Sequence, residues 1–155
     1  MIRIADINKN DVINGQGVCV SVWTQGCPHH CKGCHNPESW NFSGGYEVDE
    51  NEIIEKILQF LVENGVQRNL SILGGEPLCI ENIDFTITLL AKAKEKYPSI
   101  KTFVWTGYRM EEFSKEVLEN IDVLIDGPFI LEERDITLKL RGSKNQRILY
   151  NGFDF

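Results

Sequence analysis

Apolar positions along the chain switch between two periods. Residues 17–24, Gly-Val-Cys-Val-Ser-Val-Trp-Thr, are β-branched and alternate, which predicts a strand. Asp49 reads as a helix N-cap with Glu52 three positions on. Ile53, Ile54, Ile57, Leu58, Leu61 and Val62 then share one helical face, and Gly65 ends the helix. A short strand follows over Asn69-Leu-Ser-Ile-Leu73, stopping at Gly74-Gly75-Glu76-Pro77. The pattern predicts a helix from Asn82 to Lys96, with Lys92, Lys94 and Lys96 in its last turns as the helix dipole favours. Residues 100–105 predict a strand into Thr106-Gly107, Met110 to Glu119 a short helix, and Ile121 to Ile125 a strand into Asp126-Gly127-Pro128. A last hairpin-like or strand segment covers Leu140 to Tyr150. Residues 35–48 read as irregular, and Glu132-Glu133-Arg134-Asp135 as a surface loop.

Strand and helix alternate with short connections, the pattern of βα units on a parallel sheet. A closed eight-stranded barrel usually takes ~250 residues, and this chain has 155. The expected fold is therefore α/β, an incomplete TIM-like βα barrel with an open side, as a single domain over residues 1–155. The cysteine loop after the first strand, Gly74-Gly75-Glu76-Pro77, Trp105-Thr106-Gly107 and Asp126-Gly127 all follow strand ends. In parallel α/β folds that edge is where ligands bind.

Net charge is −7 with no basic tail or stripe, which argues against nucleic acid as a partner, because phosphate binding needs clustered Lys and Arg. The first residues lack the apolar run of a secretory signal, and no stretch approaches the ~20 apolar residues of a membrane span. A cytoplasmic setting is expected, where thiols stay reduced. Five cysteines, three of them within eight residues, then read as metal ligands rather than disulfides.

Those three are Cys27, Cys31 and Cys34, spaced C-x3-C-x2-C. A structural zinc wants four ligands, as does a plain electron-transfer iron–sulfur cluster. Three thiolates on a four-iron cluster leave one iron open to a substrate. The competing reading is a zinc site completed by His29, His30 or His35, although zinc knuckles normally pair ligands as C-x2-C and H-x3–5-H. Otherwise His29 and His30 read as surface residues. Gly74 and Gly75 allow backbone to approach a ligand closely, Glu76 is an acceptor suited to an ammonium group, and Pro77 fixes the turn. Cys19 and Cys79 read as small buried hydrophobes, and Trp105 as a core or pocket aromatic.

The cysteine spacing and the downstream Gly74-Gly75-Glu76-Pro77 resemble the radical S-adenosylmethionine (SAM) superfamily. Asn14-Gly-Gln-Gly17, Cys34-His-Asn-Pro37 with Trp40, Asp126-Gly-Pro-Phe129, Glu133-Arg-Asp135 and Leu140-Arg-Gly-Ser-Lys-Asn-Gln-Arg147 narrow this. Over nearly the whole chain they resemble the activating proteins of anaerobic (class III) ribonucleoside-triphosphate reductase. The resemblance implies a [4Fe–4S] cluster on Cys27, Cys31 and Cys34 whose open iron chelates SAM. It implies SAM contacts from His35, in place of the usual aromatic ring, and from Gly74, Gly75, Glu76, Pro77, Thr106, Gly107 and Asp126. Trp105 stands where relatives often place an acidic residue, which leaves no assigned monovalent cation site. Arg141-Gly142-Ser143 are implied as an edge over the adenosine, or Arg134, Arg141, Lys144 and Arg147 as partner contacts. The implied partners are the large anaerobic reductase subunit, as protein substrate through a glycine near its C-terminal end, and a flavodoxin- or ferredoxin-type electron donor. The implied activity is an oxidoreductase activase that generates a glycyl radical. The alternatives are an activase of another glycyl-radical enzyme such as pyruvate formate-lyase, a small-molecule radical SAM enzyme, and a zinc-binding interaction module.

Overall fold

Alternate residues of the central strands sort to opposite faces of one sheet. A computed structural model describes residues 1–155, with seven strands in the order β3-β1-β2-β4-β5-β6-β7. They are β1 (Ile2–Asp11), β2 (Cys19–Thr24), β3 (Tyr46–Val48), β4 (Asn69–Gly74), β5 (Thr102–Trp105), β6 (Val123–Asp126) and β7 (Arg147–Tyr150). The helices are α1 (Glu50–Phe60), α2 (Ile83–Lys96) and α3 (Lys115–Leu118). Val20, Val22, Leu70, Ile72, Val104 and Leu124 join Ile54, Ile57, Phe85 and Leu89 of α1 and α2 in the main core. Phe103, Val123 and Ile125 point the other way, with Trp105, Leu140 and Ile148 packed on them.

The TIM-like barrel expected from the alternation does not form. The sheet is mixed and open, and it carries three α-helices rather than a ring of them. Only β2, β4, β5 and β6 run parallel. β1 pairs antiparallel with β2 and with β3, and β7 pairs antiparallel with β6. Three features of the chain cause this. Ile2 and Ile4 alternate into the core, so the N-terminal segment is itself a strand, one the pattern reading passed over. The stretch read as irregular before α1 supplies β3. After β6 no α-helix follows, and residues 127–146, with one 3-10 turn at Leu131–Glu133, cross as a loop to a short β7 that covers only the end of the segment expected over Leu140–Tyr150. The helix expected over Met110–Glu119 also breaks. Phe113 adopts an extended backbone (φ −118°, ψ 150°), leaving a single 3-10 turn and the four-residue α3.

The other expected elements form within a residue or two, except that α1 stops at Phe60 and a separate 3-10 turn at Glu63–Gly65 takes the place of its expected last turn. Asp49 caps α1, its Oδ1 accepting from the Glu52 amide at 3.0 Å. Asn82 stands at the N-cap of α2 without capping it. Its Nδ2 donates instead to Gln25 O and Glu76 O, at 3.1 and 3.0 Å. Because the four parallel strands point one way, the segments that follow them emerge at one edge. No helix is long and apolar enough to cross a membrane.

On the face away from the helices, loop 12–18 is fixed by a buried polar knot. Asp11 accepts from Ser21 Oγ at 2.6 Å, Asn14 Nδ2 at 2.7 Å and the amides of Ile13 and Asn14 at 2.8 and 3.0 Å. Gly15 sits at φ +137°, and a Cβ there would come 2.6 Å from Cys19 Sγ. Burial pushes the Asp11 carboxyl up, but its Ser21, Asn14 and backbone hydrogen bonds outweigh burial and hold it below the ordinary carboxylate value. A carboxyl so held contributes stability that is present above its unfolded value, about 3.9, and is lost as pH falls through its folded value. In urea titrations from pH 7 to pH 3, the midpoint of the native chain should therefore fall more steeply below about pH 4 than that of Asp11→Asn. Leu124→Ala, at a fully buried position on β6, should lower the unfolding free energy by about 2–5 kcal/mol in the same assay.

Candidate functional site

The cysteine loop leaves β2 at Gln25 and is held at its start by backbone. Gly26 N donates to Ser39 O at 2.7 Å, and Cys27 N to Trp40 O at 3.2 Å. Gly26 lies at φ +98°, and a Cβ there would meet the Phe42 ring at 2.2 Å. Cys27 is buried, and Cys31 and Cys34 are half-buried. All five cysteines are free thiols. Burial pushes the Cys27 thiol up to about 11, so the free group stays protonated, and a metal bound there would have to displace the proton. No three His, Cys, Asp or Glu side chains converge as a single ion requires. A cubane asks for something else, one thiolate on each of three separate irons, and the short spacing of Cys27, Cys31 and Cys34 suits it.

Gly74-Gly75-Glu76 follows β4 beside this loop. Gly75 N donates to Thr24 O and Glu76 N to Gly26 O, both at 2.8 Å. A Cβ on Gly75 would lie 2.3 Å from Gly26 O, so the glycine is needed for the two loops to touch. Glu76 is fully buried, and its carboxylate is saturated from within the chain. Oε1 lies 2.7 Å from His29 Nε2 and accepts from Gly107 N at 2.7 Å. Oε2 accepts from Thr106 Oγ1 at 2.7 Å and Leu78 N at 2.9 Å. Burying a carboxylate requires partners of this kind. The four contacts come from the cysteine loop, from the segment after β5 and from its own turn. The Glu76 carboxylate therefore organises the cleft rather than presenting a vacant acceptor to a ligand.

A cleft of about 150 Å³ is lined by Cys27, His29, Gly74, Gly75, Glu76, Thr106 and Gly107 among others. It shares Gly74, Trp105, Phe129 and Gln146 with a cavity of about 540 Å³ that reaches Cys34, His35, Arg134, Arg141 and Gly142. The two form one depression over the strand ends. The His35 ring lies 5.4 Å from that of Phe129. Trp105 Nε1 donates to Leu140 O at 2.6 Å, tying loop 127–146 across the depression. Arg141 Nε is buried without a hydrogen-bond partner.

Three expected residues lie outside this depression, and one of them is half-buried Cys31, which lines neither part. Pro77 lines neither part, and its carbonyl accepts from Thr86 Oγ1 at 2.8 Å. Asp126 is fully buried and held by Arg147, with Nε at 2.9 Å on Oδ1 and Nη2 at 2.6 Å on Oδ2, and by Met110 N at 2.8 Å. Arg147 also pairs with exposed Glu111 through two bonds of 3.0 and 2.8 Å, so it is not a free surface cation. Sequence reasoning missed His29, Phe129 and Gln146 as lining residues. No local signal marks them, because their partners are far away in the chain. Arg147→Met would strand the buried Asp126 carboxylate. Chemical denaturation should register a loss of about 2 kcal/mol, below the ~3–5 kcal/mol for breaking a fully buried pair because Arg147 is partly exposed.

Residues 13–149 match the family model of a 4Fe-4S single cluster domain. The chain is 40% identical over 142 residues to the anaerobic ribonucleoside-triphosphate reductase-activating protein of Haemophilus influenzae, covering 89% of this chain and 91% of that protein. The protein of the same name from Vibrio cholerae is 37% identical over the same shares. That of Enterobacteria phage T4 is 36% identical, covering 91% of this chain and 89% of the relative. Three cysteines without a fourth ligand, glycine-bearing strand ends packed against them and agreement over nine-tenths of both chains lead to one assignment: the chain belongs to the family of anaerobic ribonucleoside-triphosphate reductase-activating proteins, which carry an iron–sulfur cluster domain.

Proposed function

We propose that this chain is a radical SAM activase of an anaerobic ribonucleoside-triphosphate reductase. The observation that carries the reading is the contact between the three-cysteine loop and Gly74-Gly75-Glu76 at one strand-end edge. Cys27, Cys31 and Cys34 would hold three irons of a [4Fe–4S] cluster and leave the fourth for the amino and carboxylate groups of SAM. The main chain of Gly74 and Gly75 offers a carbonyl edge to the methionyl part. Glu76, Thr106 and Gly107 fix the shape of that cleft. His35 and Phe129 offer ring faces in the larger part of the depression, where Arg141 Nε offers a donor. Pro77 and Asp126 would act from behind, by fixing the turn after β4 and the end of β6.

A bound cluster would supply the one electron needed to cleave a carbon–sulfur bond of SAM, the products being methionine and, after loss of a hydrogen atom from a glycine of the large reductase subunit, 5′-deoxyadenosine. The chain's own residues contribute position: none has to donate or accept a proton. Holding reactants in line in a site shielded from water is a sufficient protein contribution. The open side of the sheet, bridged only by loop 127–146, leaves room for a segment of another protein. A flavodoxin- or ferredoxin-type donor in the cytoplasm completes the scheme.

The test is anaerobic electron paramagnetic resonance. The chain is reconstituted with iron and sulfide and mixed with dithionite, SAM and the reductase subunit. A glycyl-radical doublet on the reductase, with 5′-deoxyadenosine formed, is the expected result. SAM cleavage without the doublet would move the substrate elsewhere, and bound zinc with no cluster would overturn the reading. Cys27→Ala, Cys31→Ala and Cys34→Ala should each lose the cluster signal and SAM cleavage, so activity persisting in any one of them refutes the ligand set.

A further inference from the structure

The cysteine loop carries little structure of its own. Within residues 28–35 the backbone makes one internal hydrogen bond, Cys34 N to Cys31 O at 3.1 Å. His30 and Gly33 take left-handed conformations, at φ +49° and +78°. Among residues 28–33, one side chain is hydrogen-bonded to the body of the protein, that of His29. Its Nε2 lies 2.7 Å from Glu76 Oε1, a hydrogen-bonding distance. Its ring stands edge-on to Tyr108 at 4.5 Å. The side chain is 18% exposed. Gly107 also donates to Glu76 Oε1 and is shaped around this ring, since a Cβ there would fall 2.5 Å from His29 Cδ2.

We propose that His29 is a positioning residue that clamps the cysteine loop to Glu76, setting the distance between the cluster ligands and the Gly74-Gly75 edge. The inference rests on the SAM reading above and deepens it. Glu76 then acts on the cofactor through the loop it holds, and the clamp spans both halves of the site. Without it, the three thiols still sit on one short loop and can still take up iron. The bond from Glu76 N to Gly26 O still holds the root of the loop, and what is lost is the side-chain tie that fixes the part beyond Cys27 relative to the strand end on which the methionyl group would rest. Pre-organisation of this kind shows in affinity rather than in metal content.

The test compares His29→Ala and His29→Gln with the native chain, all reconstituted anaerobically. The Gln carboxamide keeps an N–H donor near the position of Nε2. Iron and sulfide content, SAM affinity by equilibrium dialysis and the spectrum of the reduced cluster with and without SAM are measured. His29→Ala should keep native iron content and bind SAM about tenfold more weakly, the scale of one lost charge-assisted hydrogen bond. It should also show a smaller spectral change on adding SAM, and His29→Gln should restore most of both. Equal SAM affinity in His29→Ala and the native chain, or no rescue by Gln, overturns the clamp. If the native holoprotein binds no SAM, the functional reading fails, and thiol alkylation of the metal-free full chain decides the clamp alone. Cys27 should then react about tenfold faster in His29→Ala than in the native chain or in His29→Gln, with Cys19 and Cys79 unchanged as controls of the fold. An unchanged Cys27 rate refutes it.

Discussion

The buried carboxylate of Glu76 is the constraint on which the site depends. A carboxylate removed from water needs donors for its lone pairs, and in this chain they come from three separate places. His29 belongs to the cysteine loop, Thr106 and Gly107 to the segment after β5, and Leu78 to the turn after β4. Satisfying one side chain therefore locks three loops together. Asn82 adds a second tie, donating to Gln25 O and Glu76 O from the start of α2. The glycines around this point are there because of it. Gly75 touches Gly26 and Gly107 touches His29 too closely for a Cβ.

The sheet supplies the geometry that makes such a knot possible. Four parallel strands, β2, β4, β5 and β6, deliver their following segments to one edge. The antiparallel neighbours β1, β3 and β7 widen the sheet without closing it. One face is filled by α1 and α2. The other is covered only by loops, fixed at one end by the Asp11 knot and bridged at the other by Trp105 on Leu140 O. A cluster-bearing domain whose proposed substrate is a segment of another protein is served by that asymmetry, because a ring of helices on both sides would bury the edge.

Much of this was legible in the residues. The apolar alternation of β2, the capped amphipathic α1, the short β4 and the helix α2 each carry a local signal, and each forms close to where the pattern puts it. So do the chemical groups. A C-x3-C-x2-C run with no fourth ligand, and two glycines before a glutamate, are readable because their chemistry depends on neighbours in the sequence. The barrel was the misreading, and its cause is physical. Strand periodicity marks which residues are extended but not the direction in which a strand pairs. β1, with Ile2 and Ile4 facing the core, and β7, behind a long loop, pair antiparallel, and no local residue says so.

The sequence by itself determined β2, α1, β4, α2, β5 and β6, the cysteine spacing and the strand ends that meet, since these follow from period, capping and residue type within a few positions. Only the tertiary structure decided what the individual side chains do there. It turned Glu76 from an acceptor facing a ligand into a saturated knot, set Asp126 against Arg147, and brought His29 in from the surface to a partner 47 positions away. The reason is that a buried charge takes its partners from whatever the fold brings within hydrogen-bonding reach, and that reach is set by strand order, which the local pattern of residues does not encode.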